Sequence, residues 1–292
     1  MIDFEHSTSA AGAAVRAAAH RGLPVPQEIR DAEAMWDVVV KAGQMRVDDR
    51  PDHTTIPGTP EELAAMIEQR AHQHRIAEAH RFVSSDFRAP VALRFNALVK
   101  EQVPGWIMSL EPEFNALVKA LTTQERKLPA ELDKRRLDWS DPKVTAPWEK
   151  AESAAIQLDQ LVHDRQTMAK AVGGDGGRDN ELYAVAKIPE PTVDDVFNNT
   201  MRDEIGPAVA QWRELKGEPI ARWLFLARSP HIELTLATPG EVRERAKTMQ
   251  LWREALGARG VMANPHMRSP KAEAAVRAVL ETAQEEDTQD SA

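Results

Sequence analysis

A chain of 292 residues with 37 Lys and Arg against 46 Asp and Glu carries a net charge of −9, and 42% of it is apolar, enough to bury a sizeable core. It holds no Cys, which excludes disulfides, thiolate metal sites and cysteine nucleophiles together. No apolar stretch approaches the roughly 20 residues of a membrane span, Asp3 and Glu5 stand where a secretory signal is basic, and no segment is basic enough to make phosphate neutralisation its main task.

The 44 Ala and 25 Arg against 14 Gly favour helix. The expected fold is mainly α, a helical bundle or set of helical hairpins with one long coiled-coil-like helix and at most a minor strand element. Residues 1–58 read as a loosely structured N-terminal region with one or two helices. Within it, 9–21 is Ala-rich with Val15 as its one strong apolar side chain, mobile or docked on a partner. Over 27–42, Ile29, Ala32, Met35, Trp36 and Val39 fall at helical spacing, before a loop containing Gly43, Pro51, Pro57 and Gly58.

Residues 59–173 form the next expected domain. Thr59-Pro60-Glu61-Glu62 has a capping-box pattern that opens a helix over 60–85. Ala89-Pro90 opens another to Val103, Pro104-Gly105 breaks it, and a third runs over 106–122. The hexapeptide Phe95-Asn96-Ala97-Leu98-Val99-Lys100 recurs at Phe114–Lys119, which predicts a paired hairpin inserting two similar faces into one core.

The strongest periodic signal lies between 145 and 172, where Trp148, Ala151, Ala155, Leu158, Val162, Arg165, Ala169 and Val172 follow alternating steps of three and four. Leu161 and Met168 widen this stripe. It predicts a partner helix, from this chain or from a second copy, with Trp148, Leu158, Leu161, Val162, Arg165 and Met168 as candidate interaction residues and Arg165 as a register-setting polar contact. Gly173–Gly177 holds four Gly in five residues, so a Gly-rich hinge and extended linker is expected over 174–190.

A C-terminal helical domain is expected over 191–284. Thr192-Val193-Asp194-Asp195 caps a helix carrying Val193, Phe197, Met201, Ile205, Val209 and Trp212, kinked at Gly206-Pro207 and ended by Gly217. Residues 219–228 are apolar almost all round, as helix or strand, and Ile232, Leu234 and Leu236 alternate as in a strand. Thr238-Pro239-Gly240-Glu241 caps a helix to Leu256, and the W-R-E-x-x-G pattern of 212–217 recurs at 252–257, each Gly expected to stop its helix in the left-handed conformation. Ser269-Pro270 opens the last helix, to Ala283, and an acidic tail occupies 285–292.

Chemical constellations are few. On a helix, Glu68 and His72 share one face and His74 and Glu78 another, two ligands each where a zinc site takes three, while His80 reads as a core histidine. The glycine cluster lacks the Gly-Lys-(Ser/Thr) of a P-loop. Asp194, Asp195, Asp203 and Glu204 gather on a polar helix face, and Lys134-Arg135-Arg136 reads as a solvated helix end. Trp36, Trp148, Trp212 and Trp252 are expected in the core, with Trp106 and Trp139 partly exposed. No cofactor or catalytic residue follows. The reading is a non-enzymatic helical interaction or assembly protein, self-associating or holding a protein partner, in the cytoplasm or, if the chain is a phage structural or assembly component, in the virion. The alternatives are a metal-assisted hydrolase using the His-rich helix and a nucleic-acid-associated protein.

Overall fold

The computed structural model describes residues 7–47, 56–129, 138–177, 179–260 and 268–290. Among them are eleven α-helices and one pair of two-residue antiparallel strands, so the chain is mainly α with a minor strand element. It packs as two compact units, Met1–Val103 and Pro104–Ala292.

The first unit contains α1 (Ser9–His20), α2 (Gln27–Gly43) and most of α3 (Pro60–Ser109). The Ala-rich stretch is packed, not loose: α1 buries Ala11, Ala14, Val15, Ala17 and Ala18, because one-carbon side chains let a helix backbone come close to its neighbours. Asn96 Nδ2 donates to the Ser7 carbonyl at 3.1 Å. On α2, Ile29, Ala32 and Val39 are buried while Trp36 is half-buried and Met35 exposed. The amide of Glu62 donates to Thr59 Oγ1 at 3.3 Å, as the capping pattern predicts.

Helix α3 does not break where its prolines lead one to expect. It runs unbroken through Pro90 and Pro104 to Ser109. A mid-helix proline costs about 3 kcal/mol, and burial of Ala92, Phe95, Val99 and Val103 beside Pro90, and of Trp106 and Ile107 beside Pro104, offsets that loss. The stop comes at Leu110, where α4 (Glu111–Glu125) begins with Pro112 in its first turn, a position that needs no N–H. The two hexapeptides therefore fall in different units, Phe95 buried in the first and Phe114 in the second.

In the second unit α5 (Pro142–Ala169) is capped by Asp141, whose Oδ1 accepts from the Lys143 amide at 2.9 Å, and continues as a 3-10 turn to Val172. It packs along α4 and α9 (Pro219–Arg228). The hinge expected at the glycine cluster meets a different packing: α5 and α9 touch across it within one unit. Gly173, Gly174, Gly176 and Gly177 all take left-handed φ of +60° to +94°, and a Cβ at Gly177 would stand 2.7 Å from Asn180 Oδ1. The cluster is a turn that carries Asp175 onto Arg165.

Beyond it lie α6 (Asn180–Tyr183), β1 (Ala186–Lys187), α7 (Val193–Phe197), α8 (Gly206–Glu214), β2 (Glu233–Leu234), α10 (Pro239–Gly260) and α11 (Pro270–Asp290). β1 and β2 pair Ala186 with Leu234 and Lys187 with Glu233. Thr192 and Asp195 form a full capping box, as do Thr238 and Glu241, whose amide donates to Thr238 Oγ1 at 3.3 Å while the Thr238 amide donates to Glu241 Oε2 at 2.7 Å. The helix expected to run on from Val193 ends at Phe197, followed by Asn199, a left-handed residue at φ 61° whose Oδ1 accepts from Arg259 Nη1 at 2.9 Å. A π-turn over Met201–Ile205 resumes it, leading into Pro207. Gly217 and Gly257 are not left-handed stops, since α8 ends earlier, at Glu214, and α10 runs through Gly257 to Gly260. Residues 219–228 are helical and apolar all round because α4, α5 and α8 surround them. α11 extends past Ala283 into the acidic segment.

Candidate functional site

All six residues expected at an interaction face are buried inside the second unit: Trp148, Leu158, Leu161, Val162, Arg165 and Met168, with Leu158 and Arg165 at 0% exposure. The partner helices that the heptad pattern demands are α4 and α9 of the same chain. Trp223 joins them, lying edge-on to Phe114 and Trp212 at centroid distances of 6.2 and 5.2 Å, with its Nε1 donating to Asp159 Oδ1 at 2.7 Å. Arg165 is the polar contact within the stripe: its Nε donates to the Ala237 carbonyl at 2.9 Å and its Nη1 pairs with Asp175. Trp106, expected to be partly exposed, is 1% exposed because α3 carries it past Pro104 into the packed interior, whereas Trp139 stays on the surface.

Most of the uncovered apolar surface among the described residues belongs to the first unit instead. Of the fourteen large apolar side chains exposed among the described residues, eleven precede Val103. Met35 and Val38 of α2 and His80, Val83, Phe87 and Val91 of α3 line a groove of about 390 Å3. Residues 60–76 of α3 include no buried side chain, and Leu63 and Ile67 stand exposed one turn apart. His72, His74 and His80 are all exposed, so His80 is a groove residue and not a core one. Among the described residues no three His, Cys, Asp or Glu gather to hold a metal. Asp195 closes a helix cap, Asp194 pairs with Arg268 at 2.8 Å and Glu204 pairs with His231, so the acidic group is spread over structural contacts. Lys134-Arg135-Arg136 lies outside the described residues.

A second feature was hidden from sequence reasoning. A pocket of about 210 Å3 lies between α6, the end of α8 and the start of α9. The Arg222 guanidinium sits 3.3 Å over the Trp212 ring, and its Nη2 donates to Glu181 Oε1 at 2.6 Å. Arg213 Nε donates to Asp179 Oδ1 at 2.6 Å. Next to them Tyr183 is 3% exposed, and burial, helped by the Asp179 carboxylate and opposed by Arg253 and Arg213, pushes its phenol up from 10.0 to about 12.

Tyr183 is the only tyrosine of the chain. Its tyrosinate absorbance should therefore appear in one step, with a midpoint of about 12 in the folded protein and near 10.0 after unfolding. A raised folded pKa means that the proton binds the folded state more tightly, so this residue's stabilisation is whole below about pH 10 and is lost as pH rises through about 12. A folded midpoint near the unfolded one would contradict its burial.

No protein-family model matches the chain, and neither a curated protein nor a solved structure is similar to it. No helix of the described residues is long and apolar enough to cross a membrane.

Proposed function

We propose that this is a non-enzymatic helical assembly protein whose copies associate through the first unit, the bare start of α3 from one copy entering the α2–α3 groove of another. The observation that carries this reading is the concentration of exposed apolar side chains on α2 and α3, beside a second unit whose own seam is covered. A groove flanked by helices accepts an amphipathic helix through anchors one turn apart, and Leu63 and Ile67 have that spacing. Reciprocal exchange of the two parts would give a closed pair. The absence of Cys suits a reducing setting, the cytoplasm or a virion assembled there.

Light scattering tests it. The wild type should be a dimer or higher oligomer at micromolar concentration, and Phe87→Asp should raise its dissociation constant about 30-fold, the effect of losing an aromatic anchor. Phe87 is 54% exposed, so the substitution leaves the core intact. A strictly monomeric wild type, or a variant that associates as tightly, would overturn the proposal.

A further inference from the structure

Of the fourteen glycines in the chain, Gly176 alone follows an Asp or Asn. Such a pair carries its own chemistry. With no Cβ on the glycine to crowd the approach, the Gly176 amide nitrogen attacks the γ-carbon of Asp175, closing a succinimide ring and expelling water. Water then reopens the ring at either carbonyl. Opening at the side-chain carbonyl restores aspartate, whereas opening at the main-chain carbonyl leaves isoaspartate, whose backbone runs through Cβ and whose carboxyl sits on Cα.

The fold restrains both reacting groups. The Asp175 side chain is tied to α5, its Oδ2 accepting from Nη1 of the fully buried Arg165, and it is only 11% exposed. The carboxyl oxygen that leaves must first take up a proton, and neither oxygen has an acid beside it: a guanidinium keeps its proton, and Oδ1 is buried with no donor among the described residues. The peptide that joins Asp175 to Gly176 is tied to α6 instead, where Asn180 Nδ2 donates to the Asp175 carbonyl. Ring closure therefore needs the glycine turn released from both helices. We propose that Asp175–Gly176 is a modification site, forming isoaspartate when the second unit opens and closed to that reaction while it is folded. After isomerisation the turn is longer by Cβ, and Arg165 loses the acid placed against it, so one opening leaves a lasting mark. The site is independent of association through the first unit.

Incubation of the full chain at neutral pH, folded or in guanidinium chloride above its unfolding transition, tests this. Peptide mapping separates the isoaspartyl from the aspartyl form around residue 175, and methyl transfer from S-adenosylmethionine by an isoaspartyl methyltransferase confirms the product. Isoaspartate should accumulate at 175 in the unfolded chain and at least about tenfold more slowly in the folded one, because the rate follows the population of the open form. Asn180→Ala frees the peptide while leaving the Arg165 pair in place, and should speed the folded reaction about two- to tenfold, the worth of one hydrogen bond. Equal rates in the folded and unfolded chain, or no isoaspartate at 175 in the unfolded one, would overturn the proposal. So would a folded Asn180→Ala protein that reacts no faster than the wild type. Should Asn180→Ala fail to fold, the folded and unfolded wild type decide alone.

Discussion

Asp175→Ala is expected to destabilise the second unit by about 3–5 kcal/mol, the loss that follows when a buried charge is stripped of its partner. Arg165 is fully buried, and arginine cannot shed its proton to escape the cost. Its Nε is satisfied by Ala237, its Nη1 by Asp175, and its Nη2 already has no acceptor among the described residues. A second cation stands near: Arg245, whose pKa is lowered first by burial and also by Arg165, is held by the carbonyls of Tyr183 and Thr235 at 2.9 and 3.0 Å. Asp175, on the glycine turn, is the acid paired with Arg165, while the acids acting on Arg245 are Glu241 and Glu233. Replacing both members, Arg165→Met with Asp175→Ala, should recover most of the loss, because both charges leave together and only the Ala237 carbonyl remains unmet, at about 1–3 kcal/mol. Urea unfolding of the wild type, both single variants and the double variant gives the coupling directly. If Asp175→Ala unfolds within about 0.5 kcal/mol of the wild type, as an ordinary surface substitution does, the glycine cluster is only a connector.

Local features were legible in the sequence because they are made of neighbours in sequence. A threonine hydroxyl three residues before a carboxylate fixes a cap whatever surrounds it, and Thr192 with Asp195 and Thr238 with Glu241 do so. The steps of three and four along α5 likewise guarantee a buried seam. What covers a seam is not written in its period. The stripe of Ile76, Val83, Phe87 and Val91 has the same helical spacing as that of α5, yet α5 is enclosed by its own chain while this stripe lies open. Proline is ambiguous for a related reason. Whether Pro90 and Pro104 end a helix depends on how much burial flanks them, and that is decided by distant segments. The polar pocket unites Glu181, Trp212 and Arg222 from three elements, and one signal pointed to it: Arg222 is a charge in the middle of the apolar run 219–228. A fully charged side chain inside such a run must meet a carboxylate, a ring or a ligand, and here it meets Glu181 and Trp212.

Leu158→Asp should unfold the second unit, not merely loosen an assembly. Leu158 sits midway along α5 at 0% exposure, on the helix that packs along α4 and α9. Truncation to Ala alone removes about 2–5 kcal/mol through lost burial and the cavity left behind. A carboxylate at the same place adds a desolvation penalty of at least several kcal/mol, since its neighbours in the seam, Ala155 and Val162, are apolar and Arg165, two turns on, is already paired with Asp175. Together these approach the whole 5–15 kcal/mol stability of an ordinary domain. The readout is circular dichroism beside light scattering, with Phe87→Asp measured in parallel. Leu158→Asp should lose helicity and cooperative unfolding, whereas Phe87→Asp should keep both and lose association. A Leu158→Asp protein that keeps full helicity and dissociates into monomers would show the reverse arrangement, with the α5 seam facing another molecule and the α2–α3 groove idle. Because a core position and a docking position respond to the same new charge in opposite observables, the pair of variants separates the two faces that hydrophobic periodicity alone cannot tell apart.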